Sequence, residues 1–225
     1  MKIRDMGHVD IPPAVSLARE VGWSDLTRDY TFFVEHPQCL ALVAEEGGEV
    51  IGTGFGIRNG GAGWIGFIVV SENHRGRSIG TAMSRAVMDR LRGSGCRTLV
   101  LTATELGRPV YEKLGFTVET HYQQFSGPAP ISTHASSGLR SVKPEDLDVV
   151  CAFDQRMTGE DCSHLIRALS HSGLVMDDET SGGIRAYHLP TPWGNRPIIA
   201  ADPEAGWLML RAKMNFAESA ATTTA

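Results

Sequence analysis

Apolar positions along the chain recur at two spacings, and each change of spacing marks a new element. Residues 2–5 read as a short strand that leads to Asp10, an N-cap residue, with Pro12 and Pro13 in the first helical turn. Ala14, Leu17, Ala18 and Val21 share one face of that helix, and Gly22 closes it. Strands are predicted over 40–44 and 49–57, split by the turn Glu46-Gly47-Gly48, and a third over 64–70 completes an antiparallel meander. The period then becomes 3.6: Ile79, Ala82, Met83, Ala86, Val87 and Leu91 form one stripe that stops at Gly93-Ser94-Gly95. A buried strand over 98–101, a helix over 108–114 with Pro109 early and Gly115 just past its end, and a last strand over 116–125 follow.

Two segments carry no periodicity, one running from Gly127 to Gly138 and one closing the chain from Glu218. They divide it into a first domain at 1–127, a linker at 128–138, a second domain at 139–217 and a tail at 218–225. The second domain begins as the first does. Ile3-Arg4 precedes Asp10-Ile11 as Leu139-Arg140 precedes Asp146-Leu147, with the same offset of 136 in both pairs, which points to an internal duplication. A helix over 160–171, strands over 184–189 and 197–201, and a short helix from Pro203 complete it. The fold class is α/β of the α+β kind: a mixed, mostly antiparallel sheet flanked by helices, followed by a smaller partial domain.

Composition narrows the function without naming it. With 225 residues, 42% hydrophobic, there is material for one large core or two small ones. The net charge of -5, from 21 Lys+Arg against 26 Asp+Glu, gives no cationic field for nucleic acid. Cys39, Cys96, Cys151 and Cys162 are scattered without a CxxC pair, which suits reduced, buried thiols and argues against a structural metal. No apolar run reaches the length of a membrane span, so a cytoplasmic protein is expected.

The chemistry concentrates where the third strand meets the long helix. Ile68-Val69-Val70-Ser71-Glu72-Asn73-His74-Arg75-Gly76-Arg77-Ser78-Ile79-Gly80 is a strand, a turn and a helix start in succession. The first N–H groups of a helix lack intrahelical acceptors and carry the positive end of its dipole, so such a turn suits an anion. Gly76 and Gly80 let a ligand approach the main chain. A Walker loop would end in Gly-Lys-Ser/Thr, and a dinucleotide fingerprint would need Gly-x-Gly-x-x-Gly; neither is present.

This run resembles the pyrophosphate signature of the GNAT N-acetyltransferases, Gln/Arg-x-x-Gly-x-Gly/Ala, with Arg75, Ser78 and Gly80 at the defined positions. Ser replaces the middle Gly, a change that a negative φ there accommodates. A second block, Tyr111-Glu112-Lys113-Leu114-Gly115-Phe116, resembles the family's Tyr-x-x-x-Gly-Phe ending. Seven residues before Tyr111, where the family often has Asn, stands Thr104, whose hydroxyl could still bond cofactor amides.

The resemblance implies acetyl-CoA as co-substrate and no metal. It assigns cofactor contacts to Ile68, Val69, Val70, His74, Arg75, Gly76, Arg77, Ser78, Ile79, Gly80, Thr81, Thr104 and Arg108. Tyr111 becomes the acid that protonates the departing thiolate, and a main-chain N–H at Val69 or Val70 polarises the thioester carbonyl. The reaction implied is direct attack by a primary amine of a small molecule or a protein, with neither nucleic acid nor membrane as partner. The general base stays unassigned, because Glu45, Glu46 and Glu72 read as solvated surface charges, and the acceptor is shaped by residues 23–37. A different class of function, a non-catalytic acyl-CoA sensor or assembly module, uses the same motif.

The whole chain resembles a bacterial tandem-GNAT architecture whose second domain is degenerate and shortened. At Ile198-Ile199-Ala200-Ala201-Asp202-Pro203-Glu204 no Arg-Gly-x-x-x-Gly run follows the strand, so no CoA is expected there. The sheet edge left by the missing strands is expected to pack on the first domain or on a second copy of the chain, as in a homodimer.

Overall fold

β1 (Lys2–Asp5) lies antiparallel to β2 (Cys39–Glu46), which pairs with β3 (Glu49–Asn59), which pairs with β4 (Ala62–Val70); β5 (Thr98–Leu101) then joins β4 in parallel. The structure is a computed structural model that describes residues 1–121, 138–178, 180, 182–191 and 198–222. It divides into two units, Met1–His121 and Tyr122–Ala225.

In the first unit the sheet is covered on both faces. Side chains alternate along a strand, so Leu40, Leu42 and Ala44 of β2 join a core with Ile79, Met83, Val87 and Leu91 of α3 (Ile79–Gly93), while Ala41 and Val43 are buried on the opposite face. There α1 (Ile11–Glu20) and α2 (Thr27–Glu35) pack, and Tyr30 of α2 stacks on Phe55 of β3 with ring centroids 4.5 Å apart. Close seating of α3 depends on β3. A Cβ at Gly54 would come within 3.0 Å of Ile68 and 3.2 Å of Met83, and one at Gly56 within 3.2 Å of Val87 and Leu91. The β2–β3 turn uses two left-handed residues, Gly47 at φ 63° and Gly48 at φ 88°, as a tight hairpin demands.

The second unit repeats this order as far as it goes. β6 (Leu139–Ser141), β7 (Leu174–Asp177), β8 (Ile184–His188) and β9 (Ile198–Ala200) form an antiparallel sheet in sequence order. α5 (Leu147–Thr158) and α6 (Ser163–Leu169) share a core with Val175 and Tyr187, and α7 (Pro203–Thr222) shares another with Leu174, Met176 and Ala186. Strand, two helices, three strands and a helix is the order of β1 to α3.

The local chemistry repeats as well. Arg4 donates two hydrogen bonds to Asp10 at 2.7 and 2.9 Å and one to Glu45 at 2.7 Å, while the Gly7 N–H donates to Asp10 at 2.8 Å. In the second unit Arg140 donates to Asp146 at 2.6 and 2.9 Å and to Asp177 at 2.8 Å, and the Lys143 N–H donates to Asp146 at 2.7 Å. Each clamp ties an edge strand, the next strand and the start of the first helix together. Asp10 therefore does not cap α1 with its side chain, as expected from sequence, but closes the turn before it.

Some elements differ from the expectation. α2 and β7 were not anticipated; α2 builds its inner face from Leu26, Tyr30 and Phe33, a spacing interrupted by polar residues. The helix expected over 160–171 is Ser163–Leu169 followed by a 3-10 turn at Ser170–Ser172. α7 is far longer than the short helix expected from Pro203. Residues 116–121 form no strand, and the rest of that expected strand, most of the linker, Pro197 and residues 223–225 lie outside the described residues. No helix among the described residues is long and apolar enough to cross a membrane.

The clamps make a paired prediction. The Arg4 guanidinium holds the Asp10 carboxyl below its ordinary value of 3.8, and Arg140 does the same for Asp146. A depressed folded-state pKa stabilises above the unfolded value, and that contribution is lost as pH falls through the acid range below it. Asp10→Asn or Asp146→Asn should each lower stability by about 2 kcal/mol near neutral pH, with the deficit vanishing in strong acid, read by denaturant unfolding across pH.

Candidate functional site

The site begins with a fault in β4. Thr53 of β3 pairs with Val69 while Phe55 pairs with Gly66, so β4 carries one extra residue across that interval. The extra residue is absorbed at Phe67, which takes φ 51°, a left-handed conformation that a non-glycine residue adopts at a cost of about 1–2 kcal/mol. The bulge resets the phase of the strand: Ile65, Ile68 and Val70 all pack toward α3, although the first two are three residues apart. Phe67 faces the other way, among Trp23, Tyr30, Phe33 and Phe55, with ring centroids 5.6 to 5.9 Å away.

At the same place β4 loses a neighbour. Its parallel pairing with β5 ends at Ile65↔Leu101, and beyond that point no strand among the described residues pairs with β4 on that side. Successive N–H groups of a strand point to opposite sides. The Ser71 N–H donates to Ile51 of β3 at 3.0 Å, so the Val69 N–H faces β3 and the Val70 N–H faces the open side. Of the two donors expected from sequence, only Val70 faces the open side. Val69 is buried and Ile68 packs in the core, so the main chain is what these residues can offer a ligand.

β4 runs on into a 3-10 turn at Glu72–His74 and an exposed loop, residues 75–78, before α3 starts. Gly76 takes φ 75°, and nothing lies within 4 Å of where its Cβ would be. Ser78 takes φ 59°, so the residue that stands in place of glycine is left-handed, and the negative φ that would accommodate serine is not met. The position needs a glycine conformation, and Ser78 occupies it under strain. Ile79 is anchored in the core, Thr81 is half-buried, and a Cβ on Gly80 would meet only Val70 at 3.7 Å.

Charge around the loop is partly spoken for. Arg77 makes two hydrogen bonds to Glu46 at 3.0 and 2.9 Å, which hold the Glu46 carboxyl below its usual range, and His74 Nε2 lies 3.9 Å from the same carboxylate. Arg75 Nε donates to the Val70 carbonyl at 3.3 Å, which ties the loop back to the open side of β4. His74 Nδ1 is buried with no hydrogen-bond partner. Among the described residues no group of His, Cys, Asp and Glu is placed to hold a metal ion.

Tyr111 sits on α4 (Arg108–Lys113), edge-on to Phe116 with centroids 6.0 Å apart. Burial pushes its phenol above the usual value of 10.0, and the nearby Ser84 hydroxyl of α3 draws it partly back. Tyr111 is thus a protonated donor at neutral pH. Ser84 Oγ is buried without a completed hydrogen bond of its own. Thr104 is engaged locally: its hydroxyl accepts the Gly107 N–H at 3.2 Å and its carbonyl accepts the Arg108 N–H at 2.9 Å, which closes the turn before α4 and leaves the hydroxyl's own proton to donate. Arg108 pairs with Glu112 at 2.7 Å along the same helix.

A further ionisable group escaped the sequence reading. Asp29 on α2 is 2% exposed, its Oδ1 has no partner, and burial pushes its carboxyl up. It neighbours Tyr30 of the aromatic cluster, but with α2 unrecognised nothing marked it as buried. Glu45 and Glu46, read as solvated, are engaged by Arg4 and Arg77.

Among its described residues the second unit has no comparable loop. β9 passes through Asp202 directly into α7, and Asp202 accepts the Ala205 N–H at 3.0 Å, filling the helix start with a carboxylate of the chain itself. Arg185 in turn binds Asp202 at 2.7 and 3.0 Å and Glu204 at 2.6 Å.

Residues 10–116 match the sequence model of the acetyltransferase (GNAT) family. In fold the chain is similar to a Pyrococcus horikoshii protein described as an acetyltransferase, with TM-score 0.74 at 21% identity over 96% of this chain and 76% of that one. An Agrobacterium tumefaciens str. C58 protein described in the same terms aligns with TM-score 0.50 at 19% identity, over 56% of this chain and all of its own, 100%. A transcriptional regulator from Bacillus halodurans C-125 aligns as well, with TM-score 0.50 at 20% identity over 56% of this chain and 99% of that one. Identities this low establish the fold, which hosts more than one function.

Strain at the loop is measurable. Ser78→Gly removes the left-handed penalty and adds freedom to the unfolded chain, so a net gain of about 0.5 kcal/mol is expected by thermal unfolding. A clear loss of stability would show that the hydroxyl makes a compensating contact.

Proposed function

Because this chain belongs, through residues 10–116, to the GNAT acetyltransferase family, we propose that its first unit binds acetyl-CoA and transfers the acetyl group to a primary amine of a small molecule or a protein. The observation that carries the proposal is the continuity of an open strand side with an exposed helix start. Among the described residues no strand pairs with β4 past Ile65 on its β5 side, and β4 leads straight into residues 75–78. A cofactor with amides along a chain and a diphosphate at its end needs those two things in that order. The diphosphate is received by main-chain N–H groups at residues 76–81, with Arg75 and His74 beside them.

Each residue then has a chemical task. The amine nitrogen attacks the thioester carbonyl carbon, a C–N bond forms, and the Val70 N–H stabilises the oxygen that gains charge. As the tetrahedral centre collapses the C–S bond breaks, and the leaving sulfur takes a proton from the Tyr111 phenol. The proton shed by the amine passes to water, since Glu45 and Glu46 are held in ion pairs. No step needs a cysteine.

Calorimetry with acetyl-CoA, run beside thiol release across a panel of amines, tests this directly. Tight binding with no release on any amine would make the unit a non-catalytic acyl-CoA binder instead. Gly80→Val should fold, since only Val70 stands near the new Cβ, yet lose acetyl-CoA binding because a branched side chain then meets the phosphates; unchanged affinity would move the site elsewhere. Tyr111→Phe should keep acetyl-CoA affinity while kcat falls roughly 100-fold, the low end for a general acid assisting a fair leaving group.

A further inference from the structure

We infer that Thr53 is a positioning residue for transfer, its hydroxyl pinning the Phe67 bulge and so aiming the main chain of β4 at the thioester. Thr53 is fully buried on β3, a polar side chain inside an apolar sheet. Its Oγ1 donates to the Phe67 carbonyl at 2.9 Å, across the interval where β4 holds its extra residue. The Phe67 side chain is gripped separately, by the rings of Trp23, Tyr30, Phe33 and Phe55. Ring and carbonyl are thus fixed from two sides, which is what a left-handed non-glycine residue needs to persist in a strand.

The consequence reaches the reacting atoms without contact. The bulge decides where β4 parts from β5 and which N–H groups downstream face the open side, Val70 among them. Release of the Phe67 carbonyl lets the peptide plane turn and lets the strand slip toward regular pairing, which moves the Val70 donor. Valine has the shape of threonine without the hydroxyl, so Thr53→Val removes the pin together with the hydroxyl's interaction with the buried Tyr30 phenol, and Thr53→Ser, which restores both, is its control.

The inference rests on the acetyltransferase reading for its catalytic meaning, but its structural half is tested independently. Amide hydrogen exchange at Val69, whose N–H faces β3 opposite Thr53, should quicken in Thr53→Val and stay as in the wild type in Thr53→Ser, which keeps the hydroxyl. With acetyl-CoA and the panel amine that the wild type acetylates fastest, thiol release by Thr53→Val should show kcat lowered roughly 100-fold, as a misplacement of about 1 Å produces. KM for acetyl-CoA should stay within about threefold, because the diphosphate contacts are untouched. Unchanged exchange and kcat in Thr53→Val, or equal losses in Thr53→Ser, would overturn the assignment. If Thr53→Val does not fold, the serine variant decides: wild-type exchange and kcat support the hydroxyl, and a loss of either refutes it. A wild type that binds no acetyl-CoA would refute the acetyltransferase reading instead, while the exchange comparison still rules on Thr53.

Discussion

A strand inside a sheet must satisfy hydrogen-bonding groups on two sides, and β4 does so along only part of its length. β3 follows it to Val70, whereas β5 leaves at Ile65. A buried main-chain group without a partner is costly, so a side left open in this way is stable only where solvent or a ligand supplies the missing bonds. The bulge at Phe67, the open side beyond it and the helix start that follows are one feature of the chain read in three places. The rest of the first unit serves to hold that feature: α3 from one face, the aromatic cluster from the other.

Much of this plan was legible because it is local. The helix stripes, the hairpin glycines and the Pro-started helices each express themselves within a few residues, and the strands β1 to β5 were recognisable from alternation or from short apolar runs between turns. The phase of β4 was not. Ile65-Gly66-Phe67-Ile68-Val69-Val70 is apolar almost throughout, so no alternation betrays which residue is extra. The left-handed Ser78 was hidden for a similar reason: a motif position names the residue type that fits and not the dihedral that makes it fit.

What remained hidden depends on partners far apart in the chain. Glu46 meets Arg77 across 31 residues and Thr53 meets Phe67 across 14. Thr104 was marked by its place before Tyr111, and only the placement of Gly107 shows its hydroxyl accepting a bond within the turn before α4. The repeat of Arg4 and Asp10 by Arg140 and Asp146 was visible as a spacing, yet its meaning as an identical clamp needed the third member, Glu45 in one unit and Asp177 in the other. The same comparison sets the two helix starts apart: where the first unit has an exposed loop, the second has its own carboxylate.

The glycine groove of β3 has an effect on how variants of this protein are interpreted. α3 rests in a trough at Gly54 and Gly56 with no slack beneath it, and the far end of that same rod is the mouth proposed to receive the diphosphate. Any bulk added to the floor of the trough tips the rod and displaces its mouth. A mutational scan would then score two positions beneath α3 as recognition residues, although both act through the seating of the helix.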